Sequence, residues 1–423
     1  MDGGRVLRAL GEQPGGPELL RAGAAHEPAL VGGAVRDLLL GRAPRELDVV
    51  VAGDTVPFAT ALAADIGREM AEPPSARFHE RFGTAIVEWP GGRVDVAQRR
   101  AESYPGPGAL PEVRPGSVAE DLDRRDFTVN AIALPLSGPR PGELVHAEHA
   151  LEDLEAGQLR VLHERSFLDD PTRLLRLARY RARLGFAVEP ATAELARAAL
   201  QQGALATVSG ARLGTELRLT LREDDAVAAL HTADELGVLA AIDPGLRLDD
   251  GRARRAGELL PADARPDLLL MACLLLDLAG ASGGGGEPAI LALLDRLEFP
   301  AEERRRIARG ALAAPALSDA MAAAGSPSAL HKLLRGEPSE AIAIAGSDGR
   351  SPELGRVADQ WFERLRHVRL QISGRDLLDA GIAPGPELGS RLAAALAGRL
   401  DGEIPDGRDA ELAAALAPLE ATR

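Results

Sequence analysis

Short apolar runs separated by glycine turns mark the first part of the chain. Residues 29–31 are apolar and predict a strand. A turn at Gly32 and Gly33 follows it, and residues 34–40 predict a helix. A second apolar run, at 49–51, predicts a buried strand. The order of strand, glycine turn, helix and strand indicates a small unit that mixes helices with a sheet.

Further elements follow before residue 138. An alanine-rich amphipathic pattern predicts a helix over residues 58–66, and the runs 84–88 and 93–96 predict two strands. The Trp-Pro-Gly-Gly sequence between these strands is typical of a hairpin. Residues 101–121 contain prolines and glycines throughout and no periodicity, so we expect a long loop that is either functional or disordered.

The pattern becomes helical from about residue 139 onward. The apolar run 268–276 is too short to cross a bilayer and is flanked by aspartates, so it predicts a buried helix. We therefore expect the α+β class, with a small mixed sheet and helices in an N-terminal head and only helices after it.

Composition narrows the class of protein. A chain of 423 residues is expected to form several domains. A net charge of −15 argues against wholesale coating by nucleic acid, but not against a local basic groove. The single cysteine, Cys273, excludes a disulfide framework and a cysteine metal site. The N-terminal residues lack the apolar core of a signal peptide, so we expect a cytoplasmic protein with no membrane span.

Paired carboxylates stand at the entry to the second predicted strand. Glu46 and Asp48 fall on one face of that strand and repel each other unless a cation lies between them. A divalent metal that bridges phosphate oxygens is the usual solution. Taken alone, the pair would indicate a solvated strand end, but its place after the glycine turn favours a metal site. Asp95 is a candidate third carboxylate, and the alternative is an ion pair with Arg99 or Arg100.

The glycine turn itself is a candidate phosphate-binding element. Gly32 and Gly33 allow backbone to approach a ligand closely, and the helix that follows presents free N–H groups to an anion. Arg36, in the first turn of this helix, can add a fixed cation.

A second group of candidate residues lies in the stretch 167–186, where Asp170 and Pro171 predict the start of a helix. Asp170 is expected at the helix start, and Arg173, Arg176 and Arg179 recur every third residue on one face. Asp170 and Arg173 are one turn apart and can orient each other. The alternative is a solvated face with local ion pairs, but three cations on one strip cost stability unless anions bind there.

Several motifs together resemble those of one family. They are LVGGAVRDLLLG at 30–41, RRDFTVNA at 124–131, DDPTRLLRLAR at 169–179 and SGRDLLDAGIAPGPELGSRL from residue 373. On these motifs, the chain resembles the class II tRNA nucleotidyltransferases and bacterial poly(A) polymerases of the polymerase-β superfamily, from about residue 28 to about 420. It differs from the family at Glu46, where Asp is usual, and at Asp169, where Glu is usual.

The resemblance implies roles for particular residues. Arg125 would contact the nucleoside triphosphate, while Asp126 and Asn130 would shape the pocket for its ribose. Asp170 and Arg173 would hydrogen-bond to the Watson–Crick edge of the incoming CTP or ATP, as a complementary base would.

The resemblance extends to other segments. Arg176 and Arg179 would hold phosphates or position the base-reading pair. Residues 101–121 would form the mobile loop that helps such enzymes change from C to A addition. Arg212 and Glu216 are expected to be structural ion-pair partners.

The function implied is template-independent addition of CCA, or part of it, to the 3′ end of tRNA from CTP and ATP, with Mg²⁺ as the expected cofactor. A poly(A) polymerase or a specialised A-adding or CC-adding enzyme of the same family is the alternative, and a non-catalytic RNA- or nucleotide-binding relative is a remote one. The implied domains are a catalytic head (1–138), a nucleotide-selecting neck (139–205), a body (206–325) and a tRNA-binding tail (326–423).

Overall fold

The computed structural model describes residues 2–22, 26–79, 83–280, 286–349 and 351–418. The described residues form two units, one within Met1–Glu216 and Glu235–Ala241, the other within Leu217–Asp234 and Ile242–Arg423. The division into head, neck, body and tail is finer than this and stays a prediction.

All strands of the described residues lie in the first unit. They are Ala29–Val31 (β1), Leu47–Val51 (β2), Ser75–His79 (β3), Thr84–Trp89 (β4), Gly92–Gln98 (β5), Arg100–Ser103 (β6), Glu112–Pro115 (β7), Ile132–Pro135 (β8), Val145–His146 (β9), Gln158–Leu159 (β10) and Ala187–Val188 (β11). Seven of them form one mixed sheet in the order β3-β4-β5-β2-β1-β8-β9. The expected α+β class, with its sheet near the N-terminal end, is confirmed.

The centre of this sheet explains the apolar runs of the sequence. β1 pairs antiparallel with β2 and β8, and β2 pairs parallel with β5. Every residue of β1 is buried, as are residues 49–51 of β2. Strands covered on both faces have continuous rather than alternating apolar sequences, which is the pattern observed here.

Helices make up most of the remaining structure. In the first unit or reaching its boundary they are Gly3–Gly11 (α1), Gly16–Arg21 (α2), Gly33–Leu39 (α3), Thr55–Ile66 (α4), Val118–Asp123 (α5), Ala150–Ala156 (α6), Ser166–Asp169 (α7), Arg173–Leu184 (α8), Pro190–Gln201 (α9) and Gly210–Thr220 (α10). They continue as Ala226–Glu235 (α11), Val238–Ile242 (α12), Asp250–Leu259 (α13), Pro266–Leu274 (α14), Leu276–Gly280 (α15), Gly286–Arg296 (α16), Ala301–Ala323 (α17), Pro327–Leu334 (α18), Ser339–Gly346 (α19), Pro352–Glu363 (α20), Gly374–Asp379 (α21), Pro386–Asp401 (α22) and Arg408–Leu416 (α23).

The predicted strands and the first predicted helix are confirmed, but the long loop is not. Residues 100–115 form an antiparallel ribbon of β6 and β7, and α5 follows it. A ribbon of only two strands has two free edges, and edge strands tolerate proline. The proline-rich composition therefore concealed regular structure.

One other expectation from sequence, a helix that starts at Asp170, is wrong in detail. The arginine-rich helix α8 begins at Arg173, and Asp170 lies in the turn before it.

The regular elements that the structure describes in the second unit are all helices. The apolar run at 268–276 lies largely in α14, whose residues from Asp267 to Leu274 are all buried, as predicted. Among the residues that the structure describes, no helix is both long and apolar enough to cross a membrane.

Candidate active site

Three carboxylates meet at the centre of the mixed sheet. Asp48 is the second residue of β2, Glu46 directly precedes that strand, and Asp95 lies opposite Asp48 in the parallel β2–β5 register. One carboxylate oxygen from each lies within 4.8 Å of the others. The expected third carboxylate is thus part of the cluster, and neighbouring strands hold all three in place.

The electrostatics of this cluster suit a cation. Partial burial, followed by the charge of Glu46, raises the pKa of Asp48 to about 7, although Arg125 and Arg93 oppose the shift. Arg93 also makes two hydrogen bonds to Asp95, of 2.6 and 2.7 Å. The alternative ion pair of Asp95 with Arg99 or Arg100 is therefore wrong. Clustered carboxylate oxygens are the ligands that hard divalent ions prefer, so these residues fit a divalent metal.

The glycine turn accommodates an arginine. Gly32 has φ +65° and ψ −129°, a conformation that favours glycine, and its N–H donates to the carbonyl of Ile132. A Cβ at Gly32 would collide with Nη1 of Arg125. Because Gly32 has no side chain, the guanidinium of Arg125 can lie against the turn, where Nη1 also donates to the Asn130 carbonyl at 3.4 Å. The structure therefore brings together Gly32 and Arg125, two candidates that are 93 positions apart in the sequence.

Arg36 lies beneath the same turn and is only 2% exposed. Its guanidinium donates to Asp37 at 2.8 Å and to the side chain of Asn130. The amide of Asn130 in turn donates to Asp126 at 2.9 Å. In this arrangement Arg36 orients Asn130, and its direct contact with a phosphate stays a prediction.

Asp126 is a buried anion that links the octapeptide to α8. It accepts hydrogen bonds from the Phe127 amide and from Arg176, at 2.8, 2.8 and 2.6 Å. Burial alone would raise the pKa of Asp126, but Arg176 and the Asn130 amide outweigh it and lower the pKa to about 2. The carboxylate is therefore ionised, and it fixes Arg176.

Arg173 and Arg179 of α8 point inward. Arg173 is 4% exposed and Arg179 is 6% exposed, so the alternative of a solvated face is wrong. Arg173 donates to Ser166 Oγ at 2.6 Å and to the Arg124 carbonyl at 2.7 Å. These two hydrogen bonds hold its guanidinium in one orientation.

Two expected contacts, Asp170 with Arg173 and Arg212 with Glu216, are replaced by contacts with other residues. The side chain of Asp170 does not bond to Arg173; its Oδ1 instead accepts from Thr172 and, at 2.8 Å, from Arg212. Glu216 accepts from Arg176 and Arg179. The expected ion pair of Arg212 with Glu216 is therefore wrong, because Arg212 reaches Asp170 and, at 3.1 Å, the carbonyl of Gly108. Spacing along a helix does not show which distant carboxylate comes closest.

Sequence reasoning missed two residues at the centre of this region. The ring of Tyr180 lies 5.5–5.7 Å from the guanidinium carbons of Arg36, Arg176, Arg179 and Arg183. An aromatic face attracts cations, which partly offsets the repulsion among the arginines. Asp121 lies buried between Arg124 and Arg125. Its position four residues before a motif arginine was the available signal for it.

Family models match two parts of the chain. The model of the poly(A) polymerase head domain matches residues 29–160. This range includes the carboxylate cluster and all seven strands of the mixed sheet. A second model, described as the probable RNA and SrmB-binding site of polymerase A, matches residues 185–248.

Similar proteins cover most of the chain. An A-adding tRNA nucleotidyltransferase of Halalkalibacterium halodurans is 33% identical over 90% of this chain and 86% of its own length, and a CC-adding enzyme of Deinococcus radiodurans is 36% identical over 88% and 84%. An A-adding enzyme of Geobacter sulfurreducens is 33% identical over 90% of this chain, which spans only 44% of that longer relative.

A solved structure shares the fold along almost the whole chain. The Thermotoga maritima CCA-adding enzyme complexed with tRNA has a TM-score of 0.75 and 25% identity, with 98% of both chains covered. Together with the relatives above, this similarity extends well beyond the motifs. The chain belongs to the family of tRNA nucleotidyltransferases that shares its head domain with the poly(A) polymerases.

Proposed function

We propose that this chain is a template-independent nucleotidyltransferase that adds CCA, or part of it, to the 3′ end of tRNA from CTP and ATP. The observation that carries this proposal is that Arg125 lies against the glycine turn at the end of β1, while the carboxylate cluster lies at the start of the neighbouring strand β2. The positive charge of Arg125 lowers the pKa of Asp48, so the arginine is close enough to affect the charge of the carboxylate cluster. The proposed substrate, tRNA, also supports the expected cytoplasmic location, which stays a prediction.

In the proposed reaction, the 3′-hydroxyl oxygen of the RNA attacks the α-phosphorus of the nucleoside triphosphate. A phosphodiester bond forms, the bond from the α-phosphorus to the bridging oxygen breaks, and pyrophosphate leaves. Arg125, held on the turn by Gly32, would bind the triphosphate and offset the charge on the leaving pyrophosphate.

Glu46, Asp48 and Asp95 would hold the metal cofactor, for which we propose Mg²⁺ because their ligand atoms are all carboxylate oxygens. A divalent ion bound there supplies Lewis-acid chemistry, which withdraws charge from phosphate oxygens and favours ionisation of the attacking hydroxyl.

Asp170 and Arg173 are proposed to read the base. Thr172 and Arg212 both use Oδ1 of Asp170, which leaves Oδ2 without a partner among the described residues. An ionised carboxylate oxygen accepts from the exocyclic amino group that cytosine and adenine share. Arg173, fixed by Ser166 and Arg124, would donate to the neighbouring ring nitrogen.

The second candidate function is partial addition, either of CC or of A alone. It is supported by relatives of both kinds, which match this chain with 33–36% identity over similar lengths. Poly(A) addition is the third outcome to be distinguished, because the head-domain model is shared with poly(A) polymerases.

The test uses three tRNA transcripts, which end before CCA, after C and after CC. Each is incubated with the protein, Mg²⁺ and CTP, ATP or both, and product length is read on a gel. Growth of the first transcript by three residues followed by a stop supports CCA addition. Growth only with CTP, growth only of the CC-ended transcript with ATP, or a long A tail indicates the CC-adding, A-adding or poly(A) alternative.

Two variants make this test specific. Asp48→Ala removes a carboxylate of the cluster and should abolish incorporation without unfolding the chain. Glu88→Ala removes an exposed carboxylate of strand β4, which pairs with Arg77, and should leave incorporation unchanged. Full activity of Asp48→Ala would refute the proposed metal site.

A further inference from the structure

A buried carboxylate outside the proposed catalytic set lies at the centre of the charged network. Asp121, in helix α5, is 0% exposed. Its Oδ1 accepts from Nε and Nη2 of Arg124 at 2.9 and 2.7 Å, and its Oδ2 accepts from Nη2 of Arg125 at 2.9 Å. The backbone amide of Arg100 adds a longer hydrogen bond of 3.4 Å to Oδ1.

The two arginines extend in different directions from Asp121. Arg125 reaches the glycine turn, where its Nη1 lies against Gly32 and donates to the Asn130 carbonyl. Arg124 reaches the β6–β7 ribbon, where its Nη1 lies 3.3 Å from an oxygen of the buried Glu102. The carbonyl of Arg124 also accepts the hydrogen bond that orients Arg173.

Asp121 is therefore a shared point of attachment for both parts of the nucleotide site. One of its oxygens fixes the guanidinium nearest the turn, and the other fixes the residue whose carbonyl holds the base-reading arginine. Burial alone would raise the pKa of Asp121, but Arg125 and Arg124 outweigh it and lower the pKa, so the carboxylate is ionised. An ionised carboxylate binds two guanidinium groups more strongly than a neutral amide would.

We propose that Asp121 is a positioning residue that holds the triphosphate-binding Arg125 and the base-reading Arg173 in one fixed relation. The inference rests on the proposed function only for the identity of the ligand, a nucleoside triphosphate. Asp121 itself lies behind both arginines and contacts nucleotide only through them.

Binding measurements without RNA test this role. Isothermal titration calorimetry in Mg²⁺ buffer would give the Kd of inorganic tripolyphosphate and of the four nucleoside triphosphates. We expect Asp121→Asn to weaken tripolyphosphate binding about tenfold, the effect of one charge-assisted hydrogen bond. It should also reduce the preference for CTP and ATP over GTP and UTP, and Asp121→Glu should restore part of both.

Two further variants separate positioning from general stability. Asp123→Asn is the matched control: Asp123 lies on the same helix, is exposed and makes no hydrogen bond or ion pair among the described residues. It should change neither binding quantity. Arg124→Gln keeps the contact of Asp121 with Arg125, so it should reduce base preference more than tripolyphosphate affinity. A thermal melt shows whether each variant is folded.

The inference is overturned if folded Asp121→Asn binds tripolyphosphate and discriminates bases as the wild type does. It is also overturned if Asp123→Asn shows equal losses, or if the wild type does not bind tripolyphosphate. If Asp121→Asn does not fold, Asp121→Glu and Arg124→Gln still decide, and wild-type behaviour of both would refute the role. Wild-type protein that binds nucleotide but extends no tRNA would contradict the proposed function while leaving this test intact.

Discussion

Replacing Gly32 by alanine tests how the phosphate-binding end of the site is built. The backbone at Gly32, with φ +65° and ψ −129°, lies in a region that residues with a side chain rarely adopt, so alanine there costs about 1–3 kcal/mol. The added Cβ would also collide with Nη1 of Arg125. Because this nitrogen is at the end of a flexible side chain, we expect the guanidinium to move and the turn to stay.

The effect on catalysis follows from the displaced guanidinium. A hydrogen bond to a charged group contributes about 1.5–3 kcal/mol. If Arg125 loses one such bond to the triphosphate, kcat/KM for the nucleotide falls roughly 10- to 160-fold. The backbone strain acts on the folded protein with or without nucleotide, so it lowers Tm in addition.

Gly53→Ala is the control for strain alone. Gly53 has φ +80°, and a Cβ there would have no atom within 4 Å. Steady-state kinetics of single-nucleotide addition and thermal melts would be measured for both variants. We expect both to lose stability, but only Gly32→Ala to lose kcat/KM. Equal kinetic losses in the two variants, or wild-type kinetics for Gly32→Ala, would refute this account of Arg125.

Two further predictions concern stability. Because the pKa of Asp48 is raised to about 7 in the folded chain, folding binds a proton below that pH, so metal-free protein should lose up to about 4 kcal/mol as pH rises from about 4 to above 7. Urea denaturation in EDTA at pH 5 and pH 8 should show about 3 kcal/mol of this loss. Asp48→Asn should reduce it, and the same change in unfolding free energy between the two pH values in that variant would contradict the assignment. Arg176→Met leaves the buried Asp126 without its cation and should cost about 3 kcal/mol. Arg181→Met, on the same helix, breaks an exposed pair with Glu235 and should cost at most about 1 kcal/mol; equal losses in urea would refute the importance of burial.

The sequence was sufficient for the centre of the sheet. Strands β1 and β2 are buried on both faces, and such strands keep continuous apolar runs that stand out between glycines. The carboxylate pair was also predictable, because Glu46 and Asp48 are two positions apart at the entry to a strand. The fold of residues 100–115 was not predictable from pattern, because four-residue strands in a proline-rich segment are too short to show a period.

Local spacing also could not supply the partners of the buried arginines. The repeat of Arg173, Arg176 and Arg179 was visible in the sequence, but which groups they bond to was not. Arg176 bonds to Asp126, 50 positions away, and Arg36 bonds to Asn130, 94 positions away. A buried charge needs a partner, and the partner is whichever group the packing of strands and helices brings within reach. The sequence by itself therefore determined the family, the strands and the carboxylate pair, while only the tertiary structure decided that Arg125 would lie against Gly32 and that Arg176 would bond to Asp126.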